Sequence, residues 1–299
     1  MIKSDDMLFM VAISCSASLA AAARMLNVTP PAVTQRLQSL ESRLGVQLVE
    51  RGGGLLVLTN EGDLLARRSK GILNDVDKLI EELQKRKGVV SGHLYISGPT
   101  GFGRRYIAPV VREFRTQFPQ VNINLELSDN PIALKPNTCD IIIHIGELRS
   151  QPYKMITLAP NDRILCASPN YLSVNGTPRT PHDLVNHDCL TLRENDEDVT
   201  LWRFHVGGKT ETVRITEGIS SNDGDVILDW ALSGLGIILR SEWDVADALA
   251  SGRLIRLLPD WGIPDASVVA LLGLNHRRTA RMRMFLEALR QAFTPPPWR

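Results

Sequence analysis

Pro31, Thr34, Gln35 and Gln38 repeat at helical spacing, so a helix through them gathers hydroxyl and amide groups on one face and no acid. Such a face donates and accepts neutral hydrogen bonds. Gln and Thr on it could address base edges in the major groove of DNA. An ordinary surface helix also has a polar face, and for these residues alone that plainer reading is favoured. The flanking residues specify the helix at both ends. Thr29 is placed as an N-cap whose hydroxyl accepts an orphan backbone N–H, Pro30 stands at N1, and Gly45 follows as a C′ glycine. Val33, Leu37, Leu40 and Leu44 make a separate apolar stripe.

A second set of chemistry-bearing residues is scattered through the rest of the chain. Thr100, Gly101 and Phe102 lie in a stretch that follows a strand and leads into a helix, whose free N–H groups favour an anion. Ser128 and Asp129 follow a second strand, Arg193 and Asn195 follow a third, and Ser221 and Asn222 precede another helix. In an α/β domain these are the places where small ligands bind. The competing reading at each is a helix cap or turn. His144 stands in an otherwise apolar run, where a satisfied core histidine is the default and a pocket-floor donor the sharper alternative. The glycines from Gly98 to Gly103 lack both a Walker lysine and dinucleotide-binding spacing.

The elements that must position these residues can be read in order. Residues 4–15 form a first helix capped by Ser4 or Asp5, with Leu8, Val11, Ala12 and Cys15 inward. Ser18 caps a second, Ala-rich helix over 19–26, and Asn27-Val28 turns into the third. Residues 46–59 carry two short apolar runs around Gly52-Gly53-Gly54, which predicts a hairpin with Arg51 at its base, placed for phosphate or minor-groove contact. Thr59 then caps a long helix over about 60–87, where Leu65, Ile72, Val76, Leu79 and Leu83 form a heptad seam suited to pairing with a second copy. Residues 88–91 are a hinge. From 92 onward strands alternate with helices: strands at 94–97, 121–127, 139–145, 163–167, 188–192, 236–239 and 268–274, a hairpin over 202–215, and helices at 104–118, 181–186, 223–233, 241–249 and 279–293. This predicts an α/β unit with a largely parallel sheet, in two lobes, the first from about 92–160 and 268–299 and the second from about 161–267.

The 299 residues suit two or three domains. The net charge is +1, so a DNA contact would depend on a few placed cations. Cys15, Cys139, Cys166 and Cys189 show no CxxC and no metal spacing, which predicts buried thiols in a reducing cytoplasm, no metal and no cofactor, with a cysteine redox switch through Cys139, Cys166 or Cys189 as an alternative. Residues 7–23 are apolar enough to suggest a signal peptide, but Asp5 and Asp6 precede them and the stretch resolves into amphipathic helices. No apolar run approaches a membrane span. An enzyme on the α/β unit is the other alternative; GxSxG, HExxH and Walker patterns are absent, and the histidines lie in unrelated contexts.

With these residues in place, the chain resembles the LysR-type transcriptional regulators over essentially its whole length. The resemblance is carried by Ser18-Leu-Ala-Ala-Ala-Ala-Arg-Met-Leu-Asn-Val-Thr-Pro-Pro-Ala-Val-Thr-Gln-Arg-Leu-Gln-Ser-Leu-Glu-Ser-Arg-Leu-Gly-Val-Gln-Leu48 and Leu58-Thr-Asn-Glu-Gly62. Supporting matches are Gly92-His-Leu-Tyr-Ile-Ser-Gly-Pro99, Phe114 with Phe118-Pro119, Asp140-Ile-Ile-Ile-His-Ile-Gly146 and Ser233-Gly-Leu-Gly-Ile237. It implies a winged helix-turn-helix over 1–59, a dimerising linker helix over 60–87 and a two-lobed, periplasmic-binding-protein-like effector domain over 92–299. It further implies a homodimer and homotetramer on an interrupted inverted repeat of double-stranded DNA, contact with RNA polymerase, and a small, anionic, organic-acid effector between the lobes. Pro30, Pro31, Thr34, Gln35 and Arg51 are the DNA-reading positions so implied, with Ser18, Thr29, Arg36 and Gln38 beside them. Two departures stand out: many relatives have Phe where Leu48 stands, and many carry a second wing arginine where this chain has three glycines.

Overall fold

The computed structural model describes residues 2–16, 18–50, 56–84, 90–128, 139–146, 148, 153–193, 199–273 and 279–299. The N-terminal part is helical: α1 (Ser4–Ser14), α2 (Leu19–Met25), α3 (Pro30–Leu44) and the long α4 (Asn60–Gln84). Ser18 caps α2 through the Ala21 N–H, at 3.1 Å. Thr29 occupies the N-cap of α3 in extended conformation but makes no side-chain cap bond, contrary to the sequence expectation; Pro31, at the N2 position whose N–H a cap would accept, has none to offer. Gly45 closes α3 in the left-handed region, φ 71°. Val33, Leu37 and Leu40 are buried against Phe9, Met10, Ile13, Ala22, Ala23 and Leu48. The first cap of α1 is Lys3, not Ser4 or Asp5.

Between α3 and α4 the base of a hairpin is in place. Val49 bridges Leu58 antiparallel, Glu50 N–H donates to Val57 O at 2.8 Å, and Glu41 Oε1 accepts the Leu48 N–H at 2.7 Å. Thr59 accepts the Gly62 N–H at 3.1 Å and so caps α4. Gly62 lets α4 cross the hairpin, since a Cβ there would lie 2.0 Å from Leu48 O.

The rest of the chain forms two five-stranded sheets. Lobe I has the order β2 (Val121–Leu127), β1 (Gly92–Gly98), β3 (Ile141–Ile145), β12 (Val268–Gly273), β4 (Tyr153–Ala159). Lobe II has β11 (Ile255–Arg256), β5 (Arg163–Ala167), β10 (Ile237–Ser241), β6 (Cys189–Leu192), β9 (Glu217–Ser221). Both sheets are mixed rather than largely parallel: β1 runs parallel to β2 and β3, but β12 is antiparallel to β3 and β4. In the first sheet this follows from the late return of β12, which enters from the other lobe with its direction reversed; in the second, β10 runs parallel to β6 and antiparallel to β5. Trp202 to Arg214 lie in the expected hairpin, β7 (Leu201–Val206) with β8 (Lys209–Arg214). Helices α7 (Pro169–Asn175), α8 (Gly224–Leu232) and α9 (Glu242–Ala250) serve lobe II, while α10 (Ala280–Ala292) returns to lobe I.

The helix after β1 begins earlier than the sequence predicts. Where the sequence reading starts the helix at 104, α5 (Thr100–Phe102) already begins after Pro99, passes through a π-helical stretch at Gly103–Ile107, and continues as α6 (Ala108–Gln117). Aromatic packing accounts for it. Phe102 is fully buried, with its ring 5.1 to 5.8 Å from those of Tyr106, Trp243, Phe293 and Trp298, and that burial offsets the cost of starting a helix at a glycine-rich stretch.

Two crossovers join the lobes, and Asn161 ties them together. It is fully buried, donates from Nδ2 to Ala266 O at 2.8 Å and accepts the Trp243 N–H at 3.2 Å. Arg299 adds ion pairs to Asp162 and Glu242 beside this point.

Candidate nucleic-acid interface and effector cleft

On α3 the apolar stripe faces inward, and Pro30, Pro31, Gln35 and Gln38 are exposed. Thr34, half-buried, donates its hydroxyl to Pro30 O at 3.2 Å, which leaves its oxygen as an acceptor. Pro31, Thr34, Gln35 and Gln38 therefore share one outward face. Arg36 does not join it. Its guanidinium lies 4.7 Å from the centre of the Phe9 ring and donates to Asp5 O at 2.7 Å, so it fastens α3 to α1. Arg43 acts on the same side through Asp6, at 2.9 Å. Burial raises the Asp6 carboxyl, but the Lys3 N–H and the Arg43 and Arg36 charges outweigh it and hold it below the usual range. Thr29 is exposed at the start of α3, and Ser18 is engaged as the cap of α2. Arg51 lies outside the described residues, as does the hairpin tip.

The long helix α4 presents Leu64, Ile72, Val76 and Leu79 to solvent, 48–56 % exposed. The seam is shifted from the one expected. Leu65 turns into the N-terminal core, and Leu64 takes the outward position. The Leu83 side chain and the first half of the expected hinge lie outside the described residues.

In the effector cleft the structure brings the predicted groups together in two pairs. In lobe I, β1 and β2 end side by side, with Gly98 opposite Leu127; Ser128 N–H donates to Gly98 O at 3.0 Å, so Ser128 and Thr100 sit at neighbouring strand ends. In lobe II, Leu192 is opposite Ser221. Arg193 donates from its backbone to Ser221 O at 2.8 Å and from Nε to Ser220 Oγ at 3.1 Å. Ser221 Oγ accepts the Asp223 N–H at 3.0 Å, so it also supports the cap of α8, and Asn222 follows it, exposed. The pairs are linked across the lobes by Arg104 to Asp225, at 2.6 Å, and by Arg105 to Asp247. Gly101 packs closely under this contact, since a Cβ there would lie 3.2 Å from the Trp243 ring.

The other predicted effector contacts fare differently. Phe102 belongs to the aromatic core, as its complete burial dictates, and does not face the cleft. His144 is buried in β3 opposite Val269, on the sheet face that carries Ile142 and Leu271, the setting of a core histidine. Asp129 and Asn195 lie outside the described residues.

Sequence reasoning missed Ser97, Asn161 and the two cross-lobe ion pairs. Ser97 is fully buried at the carboxyl end of β1, and its Oγ has no hydrogen-bond partner among the described residues. The polar serine closing an apolar strand was the available signal; for Asn161 and Arg104 no local signal exists, since their partners are distant in sequence. A separate cavity of about 560 Å³ lies away from the cleft, beside α7 and the segment after β11, with Leu172, Arg179, Arg256 and Trp261 in its walls.

Residues 4–63 match the family model for the bacterial regulatory helix-turn-helix protein of the lysR family, and residues 87–294 match the LysR substrate binding domain. The chain belongs to the LysR family of transcriptional regulators. It is 35% identical over 286 residues to the HTH-type transcriptional activator TtdR of Escherichia coli strain UTI89, covering 96% of this chain and 92% of that protein. It is 33% identical over 289 residues to the HTH-type transcriptional regulator DmlR of Escherichia coli K12, covering 97% and 94%. Among solved structures, the full-length Vibrio cholerae virulence activator AphB superposes with TM-score 0.63 at 23% identity, covering 96% of this chain and 98% of that one. CrgA from Neisseria meningitidis superposes with TM-score 0.56 at 24% identity, covering 98% of each. At these identities the structures show the shared fold. As a LysR-family regulator the protein binds DNA and a small-molecule effector and oligomerises; it is not an enzyme. Among the described residues no helix is long and apolar enough to cross a membrane.

Proposed function

We propose that this regulator reads an interrupted inverted repeat at a promoter through Pro31, Thr34, Gln35 and Gln38, with Arg51 of the wing on the backbone. In this reading it works in the cytoplasm as a homodimer paired along α4, assembled into a homotetramer that contacts RNA polymerase. A small organic acid binds between the lobes and governs the assembly. The observation that carries the effector reading is the meeting of two polar strand-end pairs, Thr100 with Ser128 and Arg193 with Ser221, across a cleft held by Arg104 and Asp225. The start of the helix at Thr100 supports an anion there, and Ser97 supplies a buried hydroxyl nearby. The exposed apolar row on α4 supports dimerisation.

The test has two parts. A thermal-shift screen of organic acids on the full chain identifies an effector, and calorimetry on Thr100→Ala should then show affinity lower by about 1 kcal/mol, roughly fivefold. Unchanged affinity removes Thr100 from the site. Footprinting on DNA upstream of the neighbouring gene should show two protected half-sites.

The redox alternative is disfavoured by the thiols themselves. All four are buried. Burial pushes Cys15 up to about 11 and Cys166 and Cys189 up to about 12, and raises Cys139 as well, so they remain protonated and poorly nucleophilic at neutral pH. Peroxide should leave DNA binding unchanged; a loss that Cys166→Ser prevents would restore the alternative.

A further inference from the structure

Beyond α10 the chain turns back over the junction between the lobes. Trp298 is buried in the lobe I core, with its ring 5.8 Å from that of Phe102, 5.1 Å from Tyr106 and 5.9 Å from Phe293. The next residue reaches the other lobe. Arg299 donates from Nε and Nη2 to Glu242 Oε2, at 2.9 and 2.8 Å, and from Nη2 to Asp162 Oδ2 at 2.9 Å. Glu242 is the first residue of α9 in lobe II, and Asp162 lies in the first crossover, between β4 and β5. The Glu242 N–H donates to Asp162 O at 2.8 Å, so the two acids stand side by side and one guanidinium serves both carboxylates. Two carboxylates so close repel unless a cation sits between them. The Trp298 seat is imperfect: its indole N–H is buried without a hydrogen-bond partner among the described residues, which costs part of what the ring contacts supply. The tail can therefore lift away while α10 stays packed through Phe285, Leu286 and Leu289.

We propose that Trp298 and Arg299 form a strap that limits how far the lobes swing about their two crossovers. Trp298 anchors the tail in lobe I, and Arg299 fastens the first crossover and α9 to it. With the strap seated, Asp162 and Glu242 are held together and the hinge is stiff. With it lifted, their repulsion loosens the hinge. Both residues act by positioning, since neither stands at the strand ends that bear the polar pairs. The consequence for an effector rests on the reading of the cleft as the effector site; the swing itself does not.

The experiment reads the distance between the lobes in the full chain. Spin labels go on cysteines placed at two exposed sites, Glu113→Cys on α6 in lobe I and Val174→Cys on α7 in lobe II. The native thiols are buried and stay unlabelled, and an excess of unlabelled chain restricts the signal to one protomer. Pulsed electron–electron double resonance with no ligand present should give a narrow distance distribution. Arg299→Ala should widen it roughly twofold. Arg299→Lys, which keeps a cation between the two carboxylates, should stay close to wild type. Trp298→Ala should widen it as Arg299→Ala does, because the arginine loses its anchor. The melting temperature of Arg299→Ala should stay near that of wild type, since the ion pair is partly exposed, so the widening is not unfolding. A narrow distribution in either alanine variant, equal widening in Arg299→Lys, or widening in Arg299→Ala that comes only with a loss of melting temperature would each overturn the proposal. Because no ligand is used, failure of the effector reading of the cleft would leave these distances untouched.

Discussion

The outward face of α3 and the cleft between the lobes both present neutral polar groups, but they are built in opposite ways. On α3 the groups sit on one helix, fixed by its buried stripe and by Arg36 and Arg43, which reach back to α1. In the cleft they stand at the ends of four strands from two sheets, and their separation depends on exposed ion pairs and on the Asn161 junction. A side chain on α3 can therefore change without moving its neighbours, so its loss should alter base preference. A side chain at the cleft is coupled to lobe closure, so its loss should alter an equilibrium as well as a contact.

The largest expected effect falls on a residue whose sequence position suggested the cleft. Phe102 is fully buried among aromatic rings, and Phe102→Ala should destabilise the effector domain by about 3–5 kcal/mol. Denaturant unfolding followed by tryptophan fluorescence reads this, since Trp243 and Trp298 touch the ring. If stability holds and effector affinity falls instead, the ring belongs to the cleft and the boundary between core and site has been drawn wrongly.

Gln35→Ala tests the independence of the α3 face. It should cost about 1–3 kcal/mol of discrimination at one base pair and leave the melting temperature unchanged. Arg36→Ala is the contrasting variant. Its side chain reaches α1 through Phe9 and Asp5 O, so it should lower the stability of the N-terminal domain and leave the pattern of preferred bases intact. Competition binding with singly substituted operators separates the two. A changed base preference in Arg36→Ala would mean that α3 swings outward on DNA.

Arg104→Ala probes the cleft as a mechanical element. The pair with Asp225 is more than half exposed on both sides, so it contributes no more than about 1 kcal/mol. Spread over a closure equilibrium, that shifts effector affinity severalfold at low salt and less at high salt. Calorimetry at two ionic strengths measures it; a salt-independent loss would mean that Arg104 touches the ligand directly.

The same contrast explains what the sequence made legible. The polar outward face of α3 came from spacing within one helix, and so did the Gly45 terminus and the hairpin of Trp202 and Val213, because each depends on residues close in the chain. The antiparallel return of β12, the burial of Phe102 and the Arg104–Asp225 pair depend on partners more than a hundred residues apart. Spacing carries no trace of such partners. Leu65 shows the same limit on a smaller scale: the heptad was visible, but which of Leu64 and Leu65 turns inward was decided by Gly62 pressing α4 against Leu48.

The smallest effect is a pH dependence that tests how firmly α3 is held. Asp6 is buried, accepts the Lys3 N–H at 3.0 Å and pairs with Arg43, and its carboxyl lies below the ordinary range in the folded chain. A depressed acid contributes stability that is fully present above the unfolded carboxylate value, about 4, and is lost as pH falls through the folded one. Wild type should therefore exceed Asp6→Asn in melting temperature by a constant margin from pH 7 to about 5, and the margin should close only below about 4. A margin that closes near pH 6 would mean that burial, not Arg43, dominates this carboxyl. The attachment of α3 to α1 would then rest on Arg36, over Phe9 and bonded to Asp5 O, and on the buried stripe of α3, and the rigidity of the polar face would depend on those contacts alone.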